Sequence, residues 1–429
     1  MATDVDVQYF SHLNGLTLGN NWGDLIRLLD KALVTGLDFT QITAASIDAQ
    51  GDVHITLYAS HNAMLLQVVE LSGFAPASLN QKYRIKGVPS TTELILKPHT
   101  LITETSITTV GAGKLASLGY DIIFRDANDV KRVYRAKNPT AQHPYIRIDE
   151  SLTSPDGTTG VYTPTYAKYA MVGLLEHMEH IDDYENPDVQ QLPFDPADPA
   201  RNWKITGAGT GVVRGWSRWY WNKNLTNIQD QVNDTSSANR NTTFTLVGSK
   251  DHVYFLRNIG NSTGASKSLC GLGLFEPTNQ GASENGWFLM SAMLGSSAGT
   301  ATNHGVSVDG AQPLTNNQQS NHVFFLSNIN NTTSPMGHIT ATGLIPDHQT
   351  GWSNYAAGYA WSGVTIPIRD GASRLRGTLS SILYLCNRPS ITQATAVLND
   401  TSMFVSDAVN TSYSASNVGA FLFYLGELE

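Results

Sequence analysis

Charge is what this sequence has least of. Only 15% of its 429 residues are Asp, Glu, Lys or Arg, against about 25% in an ordinary soluble domain. The deficit is deepest between Ser268 and Ile368, where no Lys or Arg occurs and only Glu276, Glu284, Asp309 and Asp347 are acidic. Residues 1–200 carry 14 basic and 24 acidic side chains, and residues 201–429 carry 13 and 12. Neither part is basic, which argues against a phosphate-backbone binder and against direct nucleic-acid readout. Two cysteines, Cys270 and Cys386, cannot build a disulfide framework or a four-ligand zinc site and read as small buried apolar residues. No uninterrupted apolar run approaches the ~20 residues that cross a bilayer, so no membrane insertion is expected. Met1-Ala-Thr-Asp-Val-Asp6 lacks a basic segment leading into an apolar one, so no secretory leader is read and synthesis in the cytoplasm is expected.

Small polar residues stand where the charges would. The chain has 31 Asn and 37 Gly, with many Ser and Thr, and these favour turns over helix interiors. With hydrophobic residues at 41%, the composition describes a β-rich, loop-rich protein with enough chain for a large core and roughly two to four domains. A hundred residues almost without charge have little to keep them soluble unless packed against neighbours, which suggests an assembly component. The Asn-x-Ser/Thr triplets at Asn224, Asn241, Asn261 and Asn331 follow from an Asn- and Thr-rich composition rather than from glycosylation.

Periodicity divides the chain into three. Over residues 20–36, Leu25, Leu29 and Leu33 recur at helical spacing, Ile26 and Ala32 widen the stripe, Asn20 or Asn21 can cap the start and Gly36 the end. Arg27, Asp30 and Lys31 then face water. The period next switches to two at Val53, Ile55 and Leu57, and short strands follow over 65–71, 83–88 and 93–96. Residues 1–112 thus read as a helix leading a small β domain. In 113–200, strands are expected at 119–124, 130–135 and 145–149, a helix over Tyr166–His180, and an acidic, proline-broken connector over 182–198. Residues 201–429 read as a large β-sandwich-like domain. Within it Asp251–Thr263 aligns with Asn321–Thr333 at an offset of 70, eight of thirteen residues being identical, which suggests equivalent strands in facing sheets. The run Val418–Leu425 reads as a strand buried on both faces. The predicted class is mainly β: an α+β N-terminal domain followed by a β-sandwich-like region.

The residues that could carry chemistry are few. His177 and His180, in Glu176-His-Met-Glu-His180, would share one face of a helix, but the spacing is not that of a zinc protease, and a polar helix end explains them as well. Gly260-Asn-Ser-Thr-Gly264 has the form of a nucleophile elbow without the amphipathic helix that must follow it. Gly207-Ala-Gly-Thr-Gly211 lacks the lysine of a phosphate loop and the dinucleotide spacing, so no cofactor is expected. The aromatic segment holding Trp216, Arg218, Trp219, Tyr220 and Trp221 is the densest in the chain. It reads either as a core strand or as an interface or sugar-stacking surface, since Trp, Tyr and Arg dominate interface hot spots. No catalytic residue is assigned, and no enzyme activity is expected.

Several motifs in common order carry a resemblance. They are Asn21-Trp-Gly-Asp through Leu33-Val-Thr-Gly36, Gly51–Leu57 with Ser60-His61, Val68–Gly73, Leu79–Ile85, Gly119-Tyr120, Val133-Tyr-Arg135, Ile146–Asp149, Leu192–Pro196 and Phe244–Leu256. Together, over roughly residues 13–260, they resemble a widespread group of tailed-bacteriophage structural proteins, with Tyr120 standing where the group has Trp. The resemblance implies a virion component of the tail, baseplate or head–tail collar, present in many copies, with other virion proteins as partners and no catalytic residues to carry over. On this view 1–112 docks onto the particle and the nearly uncharged C-terminal region forms its outer sandwich or subunit contacts. The alternatives left open are a capsid decoration protein and a host-receptor or surface-glycan binder; a polysaccharide depolymerase rests only on scattered carboxylates.

Overall fold

Leu25, Ile26, Leu28, Leu29, Ala32 and Leu33 are all buried on one helix, an α segment over Asp24–Leu29 continued by a wider π turn over Asp30–Thr35. Gly36 ends it at φ 74°, and a Cβ there would lie 2.1 Å from the Leu115 carbonyl oxygen. The start is not capped by Asn20 or Asn21. Gly23 is the N-cap, and the donors of the first turn go to a distant carboxylate: Glu150 accepts from the backbone N–H groups of Gly23 and of Ile26, the latter at 2.9 Å. Asp30 does not face water either. Its carboxylate accepts from the buried Arg132 at 3.1–3.2 Å and from the Tyr134 hydroxyl at 2.8 Å, which fastens the helix to the second sheet.

The computed structural model describes residues 5–207, 213–222, 240–258, 267–278, 286–294, 323–328, 334–343, 363–385, 393–408 and 420–428. Within these the protein is mainly β, with helix a minor component, in large antiparallel sheets. The first sheet runs, in spatial order, Leu37–Asp38, Ala112–Leu115, Val68–Ser72, Lys82–Ser90, Glu93–Pro98, Val53–Leu57 and Ile42–Ile47. The second runs Tyr120–Arg125, Lys131–Ala136, Tyr145–Asp149 and Lys168–Leu175, whose far side pairs with both Gln191–Leu192 and Arg218–Asn222. The third begins at Gln8–Ser11, continues through Phe244–Gly248, His252–Asn258, Lys267–Leu274, Trp287–Leu294 and Val323–Leu326, and passes by way of Ile339–Gly343 and Gly363–Asp370 to Leu375–Leu385, Ala420–Glu427, Ser402–Ala408 and Thr395–Asn399. This long sheet folds over on itself: the Tyr254 ring lies 6.0 Å from that of Phe423, and the Tyr254 hydroxyl donates to the Ser380 carbonyl at 2.8 Å. One face of its first half therefore lies inside a sandwich, while the other packs on the helix and the second sheet.

Three further expectations need correction. Tyr166–His180 is not a helix: Lys168–Leu175 is a strand with all eight residues buried. A strand covered on both faces loses the alternation that identifies strands, and its continuous apolar run imitates a helix. The repeated segments are not in facing sheets, because His252–Asn258 and Val323–Leu326 lie in one sheet with two strands between them. The three-part division is also crossed by pairing. Gln8–Ser11 is an edge of the third sheet, with Tyr9 opposite Val247, and Arg218–Asn222 belongs to the second.

Glu150 is fully buried, and burial pushes its carboxyl up to about 8 against the pull of the two backbone N–H donors. A carboxyl whose folded pKa lies above its unfolded value of 4.5 favours folding below that value and loses this contribution as pH rises through the folded pKa. Chemical denaturation should therefore show stability falling from about pH 5 to about 8, by up to about 1.4 kcal/mol per pH unit from this group. In Glu150→Gln an amide N–H would oppose a backbone N–H, so the variant should be less stable at pH 5 but nearly level across the same range. An equal slope in both proteins would refute the assignment.

Candidate functional site

The aromatic segment singled out in the sequence is inside the protein. Arg218–Asn222 pairs antiparallel with Lys168–Leu175, with Tyr220 opposite Tyr169 and Trp219 opposite Ala170. Alternation sends Trp219 and Trp221, 1% and 0% exposed, into the core shared with the helix and third sheet, and Tyr220 to the opposite face. The Trp221 ring meets Trp22 edge-on at 5.9 Å, and the Tyr220 ring lies 4.7 Å from Tyr169. Trp216 and Arg218 are half-buried. The Trp216 ring is covered by the Arg201 guanidinium at 4.4 Å and met by the His338 ring at 4.8 Å. Trp219 and Trp221 thus have no open ring face on which a sugar could stack, and the one half-exposed indole is already covered.

The same second sheet buries cations among aromatic rings. Arg214 is fully buried, 4.4 Å over Tyr169, and donates to the Ser151 carbonyl. Arg147 lies 4.4 Å over Trp203 and pairs with Asp182 at 2.5 Å and Asp149 at 3.0 Å. Burial alone would raise these two carboxyls, but the facing guanidinium, helped by Lys131, holds both below the usual carboxylate value. Asp182 opens the acidic connector expected from the sequence, so part of that acidity serves to neutralise buried Arg147.

His177 and His180 lie in the turn after Lys168–Leu175, so the helical face that would have aligned them does not exist; His177 sits 3.7 Å from Glu179. Among the described residues no group of three His, Cys, Asp or Glu is placed to hold a metal ion. Gly260–Gly264, residues 208–211 of the glycine-rich segment and Cys386 lie outside the described residues, and Cys270 is buried.

The sequence did not reveal a cleft of about 720 Å³ where the three sheets meet, lined by Lys82, Lys137, Gln142, Lys250, Asp251 and His252 among others. Asp251 on its wall ends a hydroxyl–imidazole–carboxylate series. The Thr140 hydroxyl lies 2.9 Å from His143 Nδ1, and His143 Nε2 lies 2.7 Å from Asp251 Oδ1. The Thr140 backbone N–H also donates to Nδ1 at 2.9 Å, so Nδ1 is an acceptor and Nε2–H donates to Asp251. With its Nδ1 lone pair already bonded to an amide, the ring closes a turn and joins the second sheet to the third, rather than standing ready to deprotonate Thr140. The hydrogen bond from His143 holds Asp251 down at about 2, with Lys250 assisting, and burial lowers His252 to about 4, keeping it neutral. His143 and Asp251 are 108 residues apart, and no spacing rule connects them.

If these aromatic residues form core, alanine substitutions should separate cleanly. Trp219→Ala and Trp221→Ala should each cost about 3–5 kcal/mol by denaturant unfolding. Trp216→Ala should cost much less, and none of the three should change a glycan-array signal. A stable Trp221→Ala protein that had lost a glycan signal would overturn the core assignment.

No family model matches the chain, and no curated protein matches it. Among solved structures the chain is similar to "Phage phi92 endosialidase" at 9% identity, covering 92% of this chain and 51% of that one, with a TM-score of 0.14. The chain spans about half the length of that neighbour, and a likeness at this level assigns neither a fold nor an activity. Among the described residues no helix is long and apolar enough to cross a membrane.

Proposed function

We propose that this chain is a structural component of a tailed-bacteriophage particle, in the tail, baseplate or head–tail collar, acting in several copies through contacts with other virion proteins and without catalysis. The observation that carries the reading is the employment of its buried and half-buried ionisable groups. Glu150, Asp30, Arg132, Arg147, Asp182 and the His143–Asp251 pair all join one element to another. Even the arrangement that most resembles a catalytic series has its imidazole occupied by a backbone amide. The motifs behind the phage resemblance supply several of these ties, which suits a rigid body whose business is shape.

Docking through residues 1–112 alone is harder to isolate than the sequence suggests. Removing them would take away Gln8–Ser11 from the third sheet and the helix from the core. Loss of incorporation after that deletion would therefore report misfolding as readily as lost docking.

Quantitative mass spectrometry of purified virions tests the reading. A small copy number matching the ring symmetry of a tail, baseplate or collar is the expected result. A number near that of the major shell protein would instead indicate a capsid decoration. Absence from particles would overturn the structural role.

A further inference from the structure

A second cleft, of about 860 Å³, opens beside the helix and is lined by Asn20, Asp24, Arg27, Asp30, Lys31 and Arg240 among others. Its two carboxylates are already engaged. Asp24 accepts from Arg27 Nη2 at 2.6 Å and from the Asn21 backbone N–H at 2.9 Å. Asp30 accepts from Arg132 and from Tyr134. Arg27 is thereby balanced, but Lys31 and Arg240 have no carboxylate partner among the described residues.

Arg240 is the unusual one of the two. It is half-buried, and its Nε is enclosed with no hydrogen-bond acceptor. Burial lowers its pKa below the usual arginine value, with no neighbouring charge to oppose the shift. Where this protein buries Arg132 and Arg147 it supplies carboxylates, at 3.1 Å and 2.5 Å, because an unpaired cation away from water is costly. Nor does the fold need this guanidinium to hold its segment in place. The Thr242 backbone N–H donates to the Leu18 carbonyl at 2.7 Å, and the Asn222 side-chain amide donates to the Arg240 carbonyl at 3.1 Å. Bonds to the backbone therefore bring Arg240 to the cleft and leave its side chain without a partner inside the protein.

The wall defines what would satisfy it. A guanidinium presents paired N–H donors that match carboxylate or phosphate oxygens, and a lysine adds a compact positive charge. Asn20 Oδ1 is enclosed with no donor, so the wall calls for a hydroxyl as well as an anion. The volume lies within the range that holds a small ligand.

We propose that this cleft binds a small hydroxylated acid, a carboxylate or phosphate ester of a sugar or polyol, whose anionic group meets Arg240 in the field of Lys31 and whose hydroxyl donates to Asn20. The site goes beyond the structural role proposed above and does not depend on it.

Isothermal titration calorimetry of the full chain with glucuronate, glucose 6-phosphate and neutral glucose tests the proposal. At least one acid should bind about tenfold or more tightly than glucose and should raise the melting temperature. Glucuronate leads if the group recognised is a carboxylate, and glucose 6-phosphate leads if it is a phosphate. Arg240→Gln should abolish the preference for acids while melting no lower than the wild type, because the guanidinium gives up no internal partner. Lys31→Ala, at an exposed position, should weaken the preferred acid several-fold and leave glucose unchanged. Acids that bind no better than glucose at millimolar concentration, or a preference that both variants leave intact, overturn the proposal. A lower melting temperature for Arg240→Gln with no acid preference in the wild type overturns it too and assigns Arg240 to the fold. None of these results bears on copy number in virions, so the site and the virion reading fail separately.

Discussion

Arg84 is a cation with no exposed surface, and the relation between the first and third sheets depends on it. Its Nη1 donates to the carbonyls of Leu66 at 2.7 Å and Val7 at 3.2 Å, and its Nη2 to that of Leu425 at 2.9 Å. Burying a guanidinium costs several kcal/mol unless its donors are met, and here they are met only when three separate segments are in place, the last of them 341 residues away in sequence. The arginine therefore stabilises the assembled arrangement and penalises partial ones. Gln8 does the same with neutral groups. Its amide donates to Val68 and Ala116, and its carbonyl oxygen accepts from Val68, holding the edge of the third sheet against the first.

With the sheets fixed in this way, the first half of the third sheet is covered on both faces, and this accounts for the scarcity of charge in its first strands. Phe244–Gly248 and His252–Asn258 are buried at every position, so neither face offers a place for solvated Lys or Glu. Charges that do occur inside must be paired. Lys267 pairs with Asp407 within the sandwich, and Asp407 also accepts from Thr245 at 2.8 Å. Such a pair adds little net stability over apolar residues of the same size, but it tolerates few alternative alignments of the two halves.

Legibility in the sequence followed exposure. The helix at Asp24–Thr35 and the strand at Val53–Leu57 each bury one face, so a 3.6-residue or two-residue period survives in the residues themselves. Lys168–Leu175 buries both faces and was indistinguishable from a buried helix until its partners at Tyr145–Asp149 and Arg218–Asn222 were known. The place of Gln8–Ser11 could not be read at all, because four residues pairing with 244–248 leave no local trace. The candidate site failed in the same way. Trp219 and Trp221 are compatible with core and with surface from sequence, and the register opposite Lys168–Leu175 decides between them. Glu150 as a helix cap, and His143 with Asp251, are long-range meetings of common residues.

The distribution of acidic residues has a structural explanation in turn. Residues 1–200 hold twice as many acidic side chains as residues 201–429, yet Asp30, Asp149, Glu150 and Asp182 are engaged with buried arginines or helix N–H groups rather than facing a partner. A surplus of negative charge in sequence is therefore weak support for an acidic binding surface here.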